Sequence, residues 1–273
     1  MLNNIMIGKY YPISSRIHQM NPLSKIICTI FFIVVTFISY NIIFNICLLA
    51  FILLITLMSR VPLKIYFRTL TSLKVLLLFI VVINLILKID VTITLVTLIR
   101  LISIVLYTAV LTLTTPPTEI TYGLELFFAP LRLIGIPVNK MALSISLALR
   151  FIPTIIDQGN KILKSQASRG IDYYNSNLNG KFVALRALVL PMFILSFKRA
   201  DELADSMEVR LYNINKKRTN YRLNKWGFFD TYMVLIHLLI LIAIIMKEVV
   251  LWGILWLFPM MVQNIRDIKN NHA

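Results

Sequence analysis

The stretch from residue 26 to residue 59 contains no charged side chain, and this feature limits the class of fold. As one α-helix it would be about 50 Å long, whereas the hydrocarbon core of a bilayer is only about 30 Å thick. The polar segment Ser39-Tyr40-Asn41 lies near its middle. The pattern therefore predicts two short antiparallel membrane spans, at residues 26–40 and 42–58.

Four further apolar runs predict four more spans. The chain is 58% apolar, above the roughly 45–50% that is typical of soluble domains. Pro116-Pro117 follow the fourth span and end its helix, because proline has no amide donor. The predicted fold class is all-α, a polytopic membrane protein with about six transmembrane helices. The additional spans cover residues 72–87, 92–113, 228–246 and 249–261.

The segment between the fourth and fifth spans has a helical rhythm of apolar residues, yet charges interrupt every window of about 19 residues. We therefore expect a cytoplasmic domain of three helices at the bilayer surface. Gly135 and Gly170 mark two of the helix ends, because glycine adopts a left-handed cap without a Cβ penalty. The predicted helices cover residues 119–134, 138–169 and 181–210, and Pro153 and Pro191 interrupt the second and the third. The predicted domains are an N-terminal membrane domain (1–117), this cytoplasmic domain (118–225) and a C-terminal membrane hairpin (226–273).

The basic side chains predict the orientation. The net charge is +16, but the bases lie between spans and not on a separate polar domain, so the expected partner is the lipid bilayer and not a nucleic acid. With the N-terminus inside, all of the 28 basic residues except Lys88, Arg100 and Lys247 lie on the cytoplasmic side, where such residues concentrate. We expect a multi-pass cell-membrane protein with both termini and the middle segment in the cytoplasm.

Two arginines occupy equivalent places in the middle segment. Arg169 and Arg210 each stand at the end of a long helical pattern. A cation there complements the unsatisfied carbonyls of the helix end, which would be a purely structural role. Because the arrangement occurs twice, we instead interpret both as docking residues, since a guanidinium group is shaped to bind carboxylates or carbonyls of a partner.

Several short segments, taken together and not singly, are typical of one known family. They are Met20-Asn21-Pro22-Leu23-Ser24-Lys25, Gly123-Leu124-Glu125, Ala129-Pro130-Leu131-Arg132, Gly135-Ile136-Pro137, Ser146-Leu147-Ala148-Leu149-Arg150-Phe151-Ile152-Pro153, Ser165-Gln166-Ala167-Ser168-Arg169-Gly170, Arg199-Ala200-Asp201-Glu202-Leu203-Ala204 and Met207-Glu208. Over nearly its whole length the chain resembles the transmembrane T component of energy-coupling factor transporters, which are vitamin and metal-ion importers related to ABC transporters.

The resemblance implies a role for each arginine. In the family, two small-Arg-Gly motifs insert into grooves on two cytoplasmic ABC-type ATPase subunits, which hold ATP and Mg²⁺, while a membrane S component binds the cargo. The chain would then be a non-catalytic subunit that binds no cofactor or metal itself, and it has no lysine loop for ATP. The docking residues implied in this way are Ser168, Arg169, Gly170, Val209, Arg210 and Leu211.

The second motif departs from the family pattern, which has glycine at the position of Leu211. Leucine adopts the left-handed conformation only at a cost of roughly 1–2 kcal/mol. Either the helix continues past Arg210 and ends near Asn213, or this end of the helix fits a partner groove of altered shape.

The two long helices also have apolar side chains that the chain cannot all bury. Because methionine and phenylalanine re-pack against different partners, we expect part of this face to be the seat of the S component. The residues predicted for it are Leu143, Leu147, Phe151, Leu188, Met192 and Leu195.

Two other classes of function remain open from the residues. A stand-alone channel or secondary transporter needs paired charges or broken helices at the midplane of the membrane. Asn84 and His237 are isolated polar groups inside spans, where such groups more often form hydrogen bonds between helices than proton relays, and the sequence shows no evident partner for either. A metal-dependent membrane enzyme could use the acids Asp201, Asp205 and Glu208, which share one helical face. The alternative for these acids is pairing with neighbouring bases.

Overall fold

The computed structural model describes residues 10–171, 178–213 and 225–247, and within them every regular element is a helix. These residues fall into two compact units. The first comprises Tyr10–Pro116 together with the helix that follows Gly227, and the second begins at Pro117. The all-α prediction is confirmed.

Nine α-helices and one 3-10 helix make up the described part of the chain. In the first unit they are α1 (Pro22–Ile38), α2 (Ile42–Met58), α3 (Leu63–Thr71), α4 (Lys74–Ile86), α5 (Val91–Thr114) and α9 (Phe228–Lys247). In the second unit they are α6 (Pro117–Phe127), the 3-10 helix Ala129–Ile134, α7 (Val138–Ser168) and α8 (Leu178–Val209).

The long uncharged run breaks where its polar segment predicts. Ser39 ends α1, and Asn41 begins α2 by accepting a hydrogen bond at 2.9 Å from the amide of Ile43. An asparagine in this position satisfies one of the free amides of a helix start. The predicted division into two short helices is therefore confirmed.

Four helices of the described residues are long and apolar enough to cross a membrane, namely α5, α7, α8 and α9. The count becomes five if α3 and α4, which are bent by 47°, form one broken span, whereas α1 and α2 are shorter. The prediction of six transmembrane helices is not confirmed, and its span at 249–261 lies outside the described residues. The sequence pattern suggested that the charges in α7 and α8 exclude these helices as membrane spans. By length and composition, however, both remain candidates.

The first helix of the second unit differs from its prediction. Residues 119–134 were expected to form one helix, but α6 stops at Phe127 and the 3-10 helix Ala129–Ile134 follows. Pro130 lies in the first turn of that 3-10 helix, where its missing amide would have no partner in any case. Gly135 then ends it with a φ of 86°, as the glycine predicts.

The two long helices of the second unit pack against each other. Gly159 is buried in α7, and a Cβ atom placed on it would lie 3.4 Å from the sulfur of Met192 in α8. A glycine inside a helix costs about 1 kcal/mol relative to alanine. The close approach of α8 explains why a glycine occupies position 159 despite this cost.

Helix α5 lies at the centre of the first unit, where it contacts α1, α2, α3 and α4. The ring of Tyr107 stacks on Phe32 at 4.4 Å, and its hydroxyl bonds the imidazole of His237 in α9 at 2.7 Å. Asn84 donates to the hydroxyl of Thr94 at 3.2 Å. The interpretation of Asn84 and His237 as interhelical hydrogen-bonding groups is therefore confirmed, and the structure supplies the partners on other helices that the sequence did not reveal.

Candidate functional site

Helix α7 ends in a compact left-handed turn, which we call tip 1 and define as Ser168, Arg169 and Gly170. Gly170 has a φ of 85°. The amide of Ile171 donates to the carbonyl of Gln166 at 3.0 Å, and the amide of Gly170 donates to Ala167 at 3.0 Å. These bonds satisfy carbonyls that the helix end would otherwise leave free.

Helix α8 ends in the same way, in a turn that we call tip 2 and define as Val209, Arg210 and Leu211. The amide of Tyr212 donates to Met207 at 3.0 Å, and the amide of Leu211 donates to Glu208 at 2.8 Å. Leu211 itself has a φ of 55°, in the left-handed region. Of the two alternatives for this end, continuation of the helix towards Asn213 is thus wrong, because Leu211 accepts the strained conformation and terminates the helix.

Both arginines are exposed, and so are the residues on either side of them. Val209 and Leu211 have 84% and 90% of their surface exposed. In the part of the chain that the structure describes, neither guanidinium group forms an ion pair within 4.0 Å. Each tip therefore presents an arginine that is available to a second molecule.

The six apolar residues predicted as a seat are all partly buried, whereas the residues of a neighbouring strip on α8 are each 53–62% exposed. The predicted residues are Leu143, Leu147, Phe151, Leu188, Met192 and Leu195. The exposed strip consists of Val189, Leu190, Phe193, Ile194 and Phe197. Packing of α7 on α8 covers part of the predicted set, and helical periodicity alone does not reveal which side of α8 faces α7.

The acidic row on α8 consists of exposed side chains at Asp201, Asp205 and Glu208. No group of three His, Cys, Asp or Glu side chains that could hold a metal ion occurs among the described residues. Ion pairs between this row and neighbouring bases are also not found within 4.0 Å in residues 178–213. The row is thus an exposed negative surface next to tip 2.

Sequence reasoning missed a buried lysine in the first unit. Lys25 is only 5% exposed, and its ammonium group donates to the carbonyls of His18 and Thr114 at 3.3 and 3.2 Å and to the hydroxyl of Thr115 at 3.0 Å. It thereby stabilises the C-terminal end of α5, where a cation is favourable. The sequence feature that could have indicated this buried lysine is its position directly before the uncharged run at residues 26–59.

A buried aspartate joins the starts of α1 and α9. The carboxylate of Asp230 accepts from the amide of Asn21 at 2.9 Å, from the hydroxyl of Ser24 at 2.6 Å and from the amide of Gly227 at 2.8 Å. One side chain thus caps two helices. The sequence feature that could have indicated this cap is a single acidic residue at the edge of an apolar run.

His18 lies beside Lys25, in the turn before α1. Its Nε2 donates to the carbonyl of Tyr11 at 3.0 Å, so the hydroxyl of Ser15 donates to Nδ1 at 2.7 Å. Burial lowers the pKa of His18, the Tyr11 carbonyl raises it, and the positive charge of Lys25 lowers it further, with a net lowering. The imidazole is therefore neutral at pH 7.

Arg100 on α5 binds the end of α1. One of its terminal nitrogens donates to the carbonyl of Ser39 at 2.6 Å, and the guanidinium carbon lies 5.8 and 5.5 Å from the ring centres of Phe37 and Tyr40. These contacts stabilise the loop between α1 and α2. They give Arg100 a structural role.

Comparison with known proteins supports the resemblance stated above. The family described as cobalt transport protein matches residues 14–221. The energy-coupling factor transporter transmembrane protein EcfT of Listeria innocua is 34% identical over 247 residues, which cover 85% of this chain and 93% of the relative. The proteins of the same name from Staphylococcus aureus and Bacillus subtilis are 34% and 32% identical, and each alignment covers 90% of this chain and 97% and 98% of the relative.

The matched region extends over most of the chain and includes both tips. The residues at which the resemblance was recognised therefore lie within it, and the predicted relationship is confirmed. This chain belongs to the family of energy-coupling factor transporter transmembrane proteins and is a membrane subunit of such a transporter.

Proposed function

We propose that this chain couples two cytoplasmic ABC-type ATPase subunits to a membrane S component that binds the cargo, a vitamin or a metal ion. The observation that carries the proposal is the matched pair of tips. Two long helices end in the same hydrogen-bonded turn, and each turn exposes an arginine without an ion pair among the described residues. ATP and Mg²⁺ are held by the partner ATPase subunits, and this chain is not a catalyst.

The proposed membrane arrangement has six spans, with the helices of residues 118–225 on the cytoplasmic side. Its support is the charge pattern of α7 and α8, whose longest uncharged stretches are residues 141–149 and 187–197. Both are much shorter than the roughly 20 apolar residues that a transmembrane helix needs. The compact unit that begins at Pro117 agrees with a separate cytoplasmic domain, and the excess of basic residues in that segment supports cytoplasmic termini.

The packing of α7 on α8 provides a route for the motion. At 1.5 Å per residue, Arg169 lies about 15 Å along α7 from the contact at Gly159, and Arg210 lies about 27 Å along α8 from Met192. When ATP closes the two ATPases, the tips are displaced relative to each other. Because packed helices move as rigid bodies, the displacement changes the angle at the Gly159–Met192 contact.

The S component would sit on the apolar surface of the two long helices. The partly buried residues Leu143, Leu147, Phe151, Leu188, Met192 and Leu195 form its base in this proposal. The exposed strip from Val189 to Phe197 supplies the larger accessible area, since its side chains contact little within the chain. Movement at the Gly159–Met192 contact would then reorient the S component and release its cargo inward.

The test is co-purification of the tagged, detergent-solubilised chain with its endogenous ATPase subunits. Arg169→Ala and Arg210→Ala should each reduce the recovery of ATPase, and the double variant should abolish it. Arg150→Ala and Arg186→Ala are matched controls, because these exposed arginines lie on the same two helices away from the tips. Recovery in the controls should equal that of the unmodified chain.

Full recovery of both ATPase subunits with the double variant would contradict the docking role of the tips. Absence of any ATPase from the unmodified preparation would contradict the coupling function itself.

A further inference from the structure

A groove of about 440 Å³ lies beside the start of α9, within the first unit. This volume is in the range of roughly 300–1,000 Å³ that is usual for small-molecule sites. One wall is the turn before α1, which carries Arg16 and Gln19, and the other is the segment before α9, which carries Lys225. The groove is therefore a feature separate from the two tips.

The turn before α1 exposes its polar side chains because its apolar ones are anchored. Ile17 and Met20 are only 3% and 6% exposed. The amide of Gln19 donates to the carbonyl of Ser15 at 3.2 Å, which closes the turn. Arg16 and Gln19 remain exposed between these anchors. The turn thus holds a guanidinium group and a side-chain amide at the groove.

Asp230 holds the second wall against the first. Its carboxylate accepts from the amide of Asn21, which follows the turn, and from the amide of Gly227, which precedes α9. It also accepts from the hydroxyl of Ser24 at 2.6 Å. Because these bonds join the two segments, Lys225 lines the same groove as the turn.

The side chains that are free to bind a ligand in this groove are positively charged. Asp230 is only 3% exposed, and its carboxylate already accepts three hydrogen bonds. Arg16 and Lys225 are exposed, and neither forms an ion pair within 4.0 Å with another residue that the structure describes. A guanidinium and an ammonium group together favour an anion with several oxygen acceptors, of which phosphate is the common example.

The groove lies at the level of the lipid headgroups. Helix α9 is one of the candidate membrane spans, and it begins at Phe228. Just before it, Trp226 is 45% exposed and its indole nitrogen donates to the hydroxyl of Thr231 at 2.8 Å. Tryptophan is enriched where a span meets the headgroups. Phosphate groups of the bilayer are therefore within reach of the groove.

An exposed apolar stripe continues from the groove along α9. Phe228 lines the groove and is 98% exposed. Tyr232, Leu235 and Leu239 follow at intervals of three or four residues and are each 50–64% exposed, so the four residues share one helical face. From Phe228 to Leu239 the stripe is about 17 Å long, close to half of the roughly 30 Å hydrocarbon core. This length matches an acyl chain in one leaflet, whereas a free phosphate ion would leave the stripe uncovered.

We propose that the groove binds the phosphate of an anionic phospholipid whose acyl chain lies along the stripe on α9. Arg16 and Lys225 bind the phosphate, and Gln19 supplies a further donor to the headgroup. The bound lipid would fix the starts of α1 and α9 at the surface of the bilayer. The site would form whether or not the tips bind ATPases, because all of its residues belong to the first unit.

The test is native mass spectrometry of the full chain, purified in detergent with any subunits that accompany it and titrated with phospholipid. Phosphatidylglycerol is compared with phosphatidylcholine of the same acyl chains. The site variant is Arg16→Gln with Lys225→Gln. Lys64→Gln with Arg68→Gln is the matched control, because it removes the same two types of exposed base from α3 in the same unit.

We expect the unmodified chain to bind one phosphatidylglycerol about tenfold more tightly than phosphatidylcholine, as hydrogen bonds between charged groups allow. The site variant should lose this preference, and the control should keep it. Inorganic phosphate should not displace the lipid, because the acyl chain contributes to binding. All four altered side chains are exposed, so the unfolding temperature of both variants should equal that of the unmodified chain.

Three results would overturn the proposal. Equal binding of the two lipids by the unmodified chain would exclude a site for an anionic headgroup. An equal loss of preference in the site variant and the control would show diffuse attraction between the bilayer and basic residues. Displacement of the lipid by inorganic phosphate would show an ion site without a role for the stripe on α9.

Discussion

Replacing Leu211 by glycine should strengthen the end of α8, although the change removes a side chain. Leu211 holds a φ of 55°, which costs a residue with a Cβ roughly 1–2 kcal/mol. Glycine removes that cost but gives the unfolded chain more freedom, worth roughly 0.4–1 kcal/mol. The difference is a net gain of about 0.5–1 kcal/mol, so the terminal turn should open about two to five times less often.

The measurement is amide hydrogen exchange at the end of α8, corrected for intrinsic exchange rates. The relevant amides are those of Leu211 and Tyr212, which donate to Glu208 and Met207. Leu211→Ala is the matched control, because alanine retains the Cβ and therefore the strain. The leucine side chain is 90% exposed and contributes little packing, so the alanine variant should exchange like the unmodified chain.

The reciprocal change at tip 1 should have the opposite sign. Gly170→Ala places a Cβ at a φ of 85°, in open space. The added Cβ costs roughly 1–2 kcal/mol in the folded turn but also restricts the unfolded chain, worth roughly 0.4–1 kcal/mol. The net loss is about 0.5–1 kcal/mol, so the amide of Ile171 should exchange about two to five times faster. Equal exchange in the glycine and alanine variants of Leu211 would refute the claim that backbone strain limits tip 2.

Three further perturbations test other contacts. Gly159→Leu should force α7 away from Met192 and reduce ATP-driven uptake. Gly159→Ala should retain uptake, because the alanine Cβ fits at 3.4 Å from the sulfur of Met192. Equal uptake in the two variants would exclude a close contact. Asp230→Asn should lower the unfolding temperature, because the side-chain amide nitrogen of the asparagine would face the backbone amide of Gly227. The expected loss of free energy of unfolding is about 1–3 kcal/mol. An unchanged melting curve would contradict the capping of both helices by Asp230. The lowered pKa of His18 favours the neutral ring in the folded state. Its contribution to the free energy of unfolding is therefore complete above the unfolded pKa of 6.5 and is lost as the pH falls below that value. Between about pH 7 and 5 the melting temperature of His18→Gln should fall less than that of the unmodified chain, and parallel profiles would argue against this role.

Local signals in the sequence predicted the helix ends well. The break at Ser39-Tyr40-Asn41 and the left-handed turns at Gly135 and Gly170 follow from residues that influence only their own neighbourhood. At Leu211 the same reasoning left two alternatives open, and the continuing helix is the wrong one, because a penalty of roughly 1–2 kcal/mol for leucine is small enough for the remaining structure to overcome. It also joined α6 to the 3-10 helix, since a proline near a helix start and a proline within a helix look alike in sequence.

The sequence by itself determined that this is an all-α membrane protein, because the number and length of uncharged apolar runs are properties of composition and order alone. Only the tertiary structure decided which polar side chains meet. The bond between Tyr107 and His237 joins residues 130 positions apart, and that between Ser24 and Asp230 joins residues 206 positions apart. Such pairs depend on which helix faces pack together, and a local pattern of apolar residues defines a face without naming the helix that covers it.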